Sequence, residues 1–130
     1  MMASSVGEES PFTVLLAEDE PMLRRVVGVT LRHGGFVVIE AADGTAGLEV
    51  LQSEASIDML LTDVKMPGLN GYQLAEAGLS LRPAMKVMLM TGFADEAIPD
   101  AIREASIPIL RKPFNFENLA RSVREMILSR

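Results

Sequence analysis

Asp63 stands at the end of the apolar run Met59-Leu60-Leu61-Thr62 and just before the turn Lys65-Met66-Pro67-Gly68. A carboxylate there is held at the mouth of a buried strand, where it can do chemistry instead of solubilising a surface. Three other short segments end in matching groups: Glu18-Asp19 after Val14-Leu15-Leu16-Ala17, Thr91 after Val87-Met88-Leu89-Met90, and Lys112-Pro113 after Ile109-Leu110-Arg111. Three acids, a hydroxyl and an ammonium at strand exits point to a magnesium-assisted phosphoryl-accepting site.

Magnesium takes hard oxygen ligands in near-octahedral geometry and keeps several waters. Asp19 and Asp63 can each supply a carboxylate oxygen, the carbonyl of Lys65 a third, and Glu18 would hold one of the waters. A phosphorylated carboxylate is a mixed anhydride, so the incoming phosphoryl charge needs neutralising from more than one side. Lys112 suits that role as a compact point charge, and Thr91 can donate one hydrogen bond to a phosphoryl oxygen. Each residue also has a plainer reading. Glu18-Asp19-Glu20 resembles a helix-capping run, Asp63 a turn initiator before Pro-Gly, Thr91 a cap for the fourth helix and Lys112 a surface lysine. The combination favours the site.

The elements that must position these groups alternate. Short, nearly continuous apolar runs at Thr13–Ala17, Phe36–Ala41, Met59–Thr62, Lys86–Met90 and Ile109–Arg111 read as strands covered on both faces. Between them lie helical patterns. Leu23, Val26, Val27, Thr30 and Leu31 share one face of a helix opened by Pro21 and closed by Gly34-Gly35. A second, after Asp43-Gly44, carries Ala46, Leu48, Val50 and Leu51, and a third from Gly71 carries Leu74, Ala75 and Leu79. A fourth holds Ile98, Ala101, Ile102 and Ala105, its regular start delayed by Pro99. The last shows Phe116, Leu119, Ala120, Val123, Met126 and Ile127 at helical spacing. Strand and helix alternate five times, which demands a doubly wound α/β sandwich of parallel strands with right-handed crossovers. In such sheets ligands bind outside the carboxyl ends of the strands, where every residue singled out above lies.

At 130 residues, 48% of them hydrophobic, the chain is expected to form one domain, with residues 1–11 as a polar lead-in and 12–130 as the folded unit. No apolar run approaches the roughly 20 residues that cross a bilayer, and the start shows no secretory signal. The absence of cysteine excludes disulfides and thiolate metal sites and is compatible with a reducing cytoplasm. A net charge of −6 disfavours direct nucleic-acid binding. His33, the sole histidine, is expected at the surface near a helix end, and the methionines at 59, 85, 88 and 90 as core filler.

Leu15-Leu16-Ala17-Glu18-Asp19-Glu20, Thr62-Asp63-Val64-Lys65-Met66-Pro67-Gly68-Leu69-Asn70-Gly71, Met90-Thr91-Gly92 and Lys112-Pro113-Phe114 together resemble the receiver domain of two-component response regulators. The resemblance covers about residues 12–129. It implies the flavodoxin-like strand order 2-1-3-4-5 and a cis Lys112-Pro113 bond. It further implies Asp63 as phosphoacceptor, Glu18 and Asp19 as the acidic pair for Mg2+, Thr91 as the switch hydroxyl and Lys112 as the phosphate-pairing lysine. The implied partners are a sensor histidine kinase or phosphotransfer protein as donor and a downstream protein as recipient, in the cytoplasm and without membrane contact. A homodimer through the fourth and fifth helices is compatible with it.

One position departs from the pattern. Three residues before the lysine, where the family commonly has Tyr or Phe, this chain has Ile109, preceded by Pro108. An aliphatic side chain does not swing with the same consequence, which puts the usual coupling from Thr91 in question and keeps open a receiver-like adaptor that accepts no phosphate. Pro108 suits an edge strand. The segment from Arg82-Pro83 to Phe93-Ala94 resembles receivers of hybrid histidine kinases, and Phe93 is placed to crowd hydrolytic water. A magnesium phosphatase with an aspartyl nucleophile usually needs a second acid two residues on, where Lys65 stands. Loops for a flavin are not found.

Overall fold

The computed structural model describes residues 11–92 and 98–129. Residues 1–10 of the expected lead-in, and Phe93 and Ala94, fall outside them.

Five strands form one parallel sheet: β1 (Thr13–Ala17), β2 (Val37–Ala41), β3 (Met59–Asp63), β4 (Lys86–Thr91) and β5 (Ile109–Arg111), in the order β2-β1-β3-β4-β5. Among the described residues, five helices alternate with them: α1 (Pro21–His33), α2 (Gly44–Gln52), α3 (Gly71–Leu81), α4 (Asp100–Glu104) and α5 (Leu119–Leu128). The chain adopts the doubly wound sandwich read from the alternation of its elements, in the strand order that the resemblance implies.

Continuous apolar strands make sense here because alternate side chains enter two separate cores. Leu15, Leu60, Val87 and Leu89 pack with Leu51, Leu74, Ala75 and Ile102 on the face covered by α2, α3 and α4. Leu16, Leu61, Met88 and Met90 pack with Val27, Leu31, Leu119 and Val123 on the α1 and α5 face. Leu15, Leu16, Leu60 and Leu61 are fully buried, each stabilising the fold by roughly 1.5–3 kcal/mol relative to exposure. Methionines 59, 85, 88 and 90 are all buried core residues, and His33 is exposed on the last turn of α1.

The helix boundaries have local causes. Glu20 caps α1 by accepting from the Met22 and Leu23 N–H groups, Pro21 occupies its first turn, and Gly34 ends it. Gly35, at φ 96°, then takes the left-handed conformation that lets the chain turn into β2. Asn70 and Gln73 form a reciprocal capping box at the start of α3. Helix α4 begins at Asp100, directly after Pro99, as the proline requires.

Several details differ from the sequence pattern: β3 and β4 run one residue further than read, to Asp63 and Thr91, and α4 is short enough to leave Ile98 and Ala105 outside it. Val26 is 41% exposed, whereas Gly28 is buried and lies against the Glu40 carboxylate from β2. Strand β2 begins at Val37, since the Phe36 N–H is spent on the Leu31 carbonyl at the end of α1. Phe116 precedes α5 in a 3-10 turn (Phe116–Asn118) that Asn115 caps through the Glu117 N–H.

Candidate functional site

The carboxyl ends of β1, β3, β4 and β5 converge on one acidic cup. Glu18 follows β1 directly, and its N–H donates to the Ala41 carbonyl at the end of β2 (3.1 Å). Asp63 is the last residue of β3 and Thr91 the last of β4. The Lys112 N–H donates to the Thr91 carbonyl (2.8 Å), tying the exit of β5 to that of β4, and the Lys112-Pro113 bond is cis. Glu18, Asp63 and Thr91 are buried, the glutamate completely.

Lys112 reaches across this cup. Its Nζ lies 2.9 Å from Asp63 Oδ2 and 3.4 Å from Glu18 Oε1. The other Asp63 oxygen, Oδ1, accepts from the Val64 N–H at 2.8 Å, so the two oxygens are held differently: one by a fixed backbone donor, one by a flexible cation. One carboxylate oxygen each from Glu18, Asp19 and Asp63 lies within 4.8 Å of the others. That spacing and the hard-oxygen donor set fit a divalent cation such as Mg2+.

The charges support the fit. Three carboxylates face one ammonium. Burial pushes the Glu18 carboxyl up to about 7, and the neighbouring Asp63 charge adds to this against the opposing Glu20 N–H and Lys112. Burial alone would lower the Lys112 ammonium, but the hydrogen bond and charge of Asp63, with Glu18, raise it above its usual range. Lys112 therefore stays charged while the pocket still lacks positive charge.

This has a measurable consequence. Because the folded Glu18 holds its proton up to about pH 7, whereas an unfolded glutamate releases it near pH 4.5, the folded state binds more protons between those values and stability falls as pH rises through that window. Metal-free protein should lose about 2 kcal/mol of unfolding free energy between pH 5 and pH 8, read from urea midpoints with chelator present. Saturating Mg2+ at pH 8 should restore much of the loss. Constant or rising stability across that range without metal would contradict the assignment.

The alternative readings of the acidic run divide between its members. Glu20 is the cap of α1, whereas Glu18 and Asp19 turn into the cup. Thr91 ends β4, and Pro99 is the residue capping α4, so Thr91 is no cap for that helix. Lys65 has an exposed side chain in the loop beyond Asp63. Ile109 is half-buried in the α2–α4 core, opposite Leu89.

Two glycines escape sequence reasoning. A Cβ on Gly71 would fall on the Asp63 carbonyl oxygen, and one on Gly44 would fall on the Leu69 carbonyl oxygen. The loop that follows Asp63 is thus pressed between the first residues of α2 and α3, with the Gly71 N–H donating to the Val64 carbonyl at 2.8 Å. Glycine just inside a capped helix start was the available signal, but it does not reveal what the backbone approaches.

A family profile for the response regulator receiver domain matches residues 14–124. The chain belongs to that family. It is 34% identical over 117 residues to the response regulator receiver protein CpdR of Brucella abortus, spanning 89% of this chain and 97% of that one. It is 33% identical over 117 residues to sensor kinase CckA of the same organism, but covers 12% of that protein's length. The crystal structure of the receiver domain of hybrid histidine kinase CckA superposes with a TM-score of 0.75 at 32% identity, over 88% of this chain and 98% of that one. That of sensor histidine kinase PA1611 from Pseudomonas aeruginosa, with magnesium coordinated in its active site cleft, gives 0.80 at 25% identity, over 92% and 100%. The receiver is a module of two-component signalling. Among the described residues no helix is long and apolar enough to cross a membrane.

Proposed function

We propose that Asp63 accepts a phosphoryl group from a phosphohistidine, carried by a sensor histidine kinase or phosphotransfer protein, and that the modified domain (residues 12–130) presents a changed surface to a downstream protein in the cytoplasm. The observation that carries this reading is the ion pair of Asp63 Oδ2 with Lys112 Nζ at 2.9 Å inside a cup of acids. With Oδ1 held by the Val64 N–H, Oδ2 is the oxygen free to turn from Lys112 to phosphorus. The new O–P bond forms as the P–N bond of the donor breaks, and the departing imidazole takes a proton from solvent. Lys112 then pairs with the transferred group instead of the carboxylate, and the Thr91 hydroxyl supplies a donor from β4.

Asp19, Asp63 and the Lys65 carbonyl would hold Mg2+, with Glu18 beside it; the ion would supply charge neutralisation for the transferring group. The magnesium in the PA1611 receiver supports this assignment. The domain is an acceptor that reverses slowly by hydrolysis and not a catalyst acting on a second substrate.

A second reading, a receiver-like adaptor that accepts no phosphate, draws on Ile109, which is packed into the core and has no aromatic ring to reorient. Incubation with Mg2+ and acetyl phosphate, followed by intact mass, separates the two. One phosphoryl group gained, and lost when chelator replaces Mg2+, is the expected result; no gain under any donor favours the adaptor.

A further inference from the structure

Glu18 is anchored by three contacts besides that with Lys112. Its carbonyl accepts from Arg24 Nη1 at 2.8 Å, while its N–H goes to Ala41 and its Oε2 accepts from the Glu20 N–H at 3.0 Å. Arg24 lies in the first turns of α1, largely covered, with its Nε 3.5 Å from Glu40 Oε1. Arg32, two turns on, holds the other Glu40 oxygen at 2.9 Å. Helix α1 is shaped for this carboxylate: a Cβ on Gly28 would stand 3.0 Å from Glu40 Oε2 and 3.3 Å from the Arg32 guanidinium.

The carbonyl that Arg24 holds belongs to the peptide unit joining Glu18 to Asp19. A charge-assisted hydrogen bond there sets the plane of that peptide, and with it the directions in which both acid side chains leave the backbone. We propose that Arg24 is a positioning residue for the Glu18-Asp19 pair, itself oriented by Glu40 at the end of β2. Glu40 and Ala41, adjacent on one strand, thereby fix Glu18 from both sides: one through Arg24 to its carbonyl, the other directly to its N–H. The inference rests on the reading of Glu18 and Asp19 as a cation-binding pair.

Mn2+ titration of the full chain, followed by the electron paramagnetic resonance of free Mn2+, tests it directly. Arg24→Ala should weaken Mn2+ binding about tenfold, the scale for groups that orient metal ligands. Glu40→Gln and Gly28→Ala should weaken it in the same direction, and adding Glu40→Gln to Arg24→Ala should bring little further loss. Arg24→Lys, which keeps one donor but not the fork, should fall in between. Unchanged Mn2+ affinity in a folded Arg24→Ala protein, or fully additive losses in the double variant, would overturn the proposal. Should Arg24→Ala fail to fold, Glu40→Gln and Gly28→Ala decide: unchanged affinity in both rejects it. Wild-type protein that binds Mn2+ yet takes no phosphoryl group from acetyl phosphate would refute the phosphoacceptor reading while leaving the Arg24 comparison intact.

Discussion

Asp63→Asn should abolish phosphoryl uptake while the domain remains folded. The amide is nearly isosteric with the carboxylate but lacks its nucleophilic charge, and it has a single acceptor oxygen for the two donors that Asp63 now satisfies, the Val64 N–H and Lys112 Nζ. Intact mass after incubation with Mg2+ and acetyl phosphate should show no added phosphoryl group. Lys112→Ala should be milder in kind: the nucleophile stays, one charged partner of the incoming group goes, and uptake should slow by about 10²–10³-fold. Removing the Asp63 charge should also let the Glu18 carboxyl ionise more easily, since that charge helps to hold it near 7. The Asn variant should therefore show a shallower fall in stability between pH 5 and pH 8. Persistent phosphorylation of Asp63→Asn would place the acceptor elsewhere and end the present reading.

Gly71→Ala should be among the most destabilising single-methyl additions in the domain. Its Cβ would fall on the Asp63 carbonyl oxygen and 2.8 Å from the Val64 Cα, both of them backbone. No rotamer change relieves a clash with backbone, so either α3 or the end of β3 must move. Overpacking of this kind costs about 3 kcal/mol, or roughly 10 °C of melting temperature for a domain of this size. Gly68→Ala is the control. Gly68 has open space around it but a φ of 71°, so it should lose only about 1 kcal/mol. Equal losses at the two positions would mean that conformational freedom, and not the close approach, is what Gly71 provides. On the proposed reading of Asp63, a folded Gly71→Ala protein should also take up phosphate more slowly, because the displaced peptide is that of Asp63 itself.

The cup is built at the carboxyl edge of the hydrogen-bonded parallel sheet. Asp63, Glu18 and Lys112 come from strands whose neighbours are pinned in parallel register, Leu15 opposite Leu60 and Leu60 opposite Val87. Each carboxyl end is fixed by the same ladder that builds the core. Asp63 thus ends a fully paired central strand, while the loop from Val64 to Asn70, between Gly71 and α2, is the segment that follows it directly.

Much of this was legible in the linear sequence. Short apolar runs ending in polar groups, separated by amphipathic stretches, specify strands buried on both faces and helices to cover them. Parallel strands with right-handed crossovers then bring the carboxyl ends to one edge, so Glu18, Asp19, Asp63, Thr91 and Lys112 could be assigned to a single neighbourhood without coordinates. Tertiary structure alone decided distances and burial. That Glu20 caps α1 while Glu18 turns inward depends on where the helix axis begins, which three consecutive acids do not encode. That Val26 faces solvent and Gly28 faces Glu40 depends on the rotation of α1 against the sheet, and an apolar side chain at helical spacing is compatible with either side of its stripe edge. The roles of Gly44, Gly71 and Arg24 arise from contacts with backbone atoms, whose positions leave no trace in side-chain chemistry.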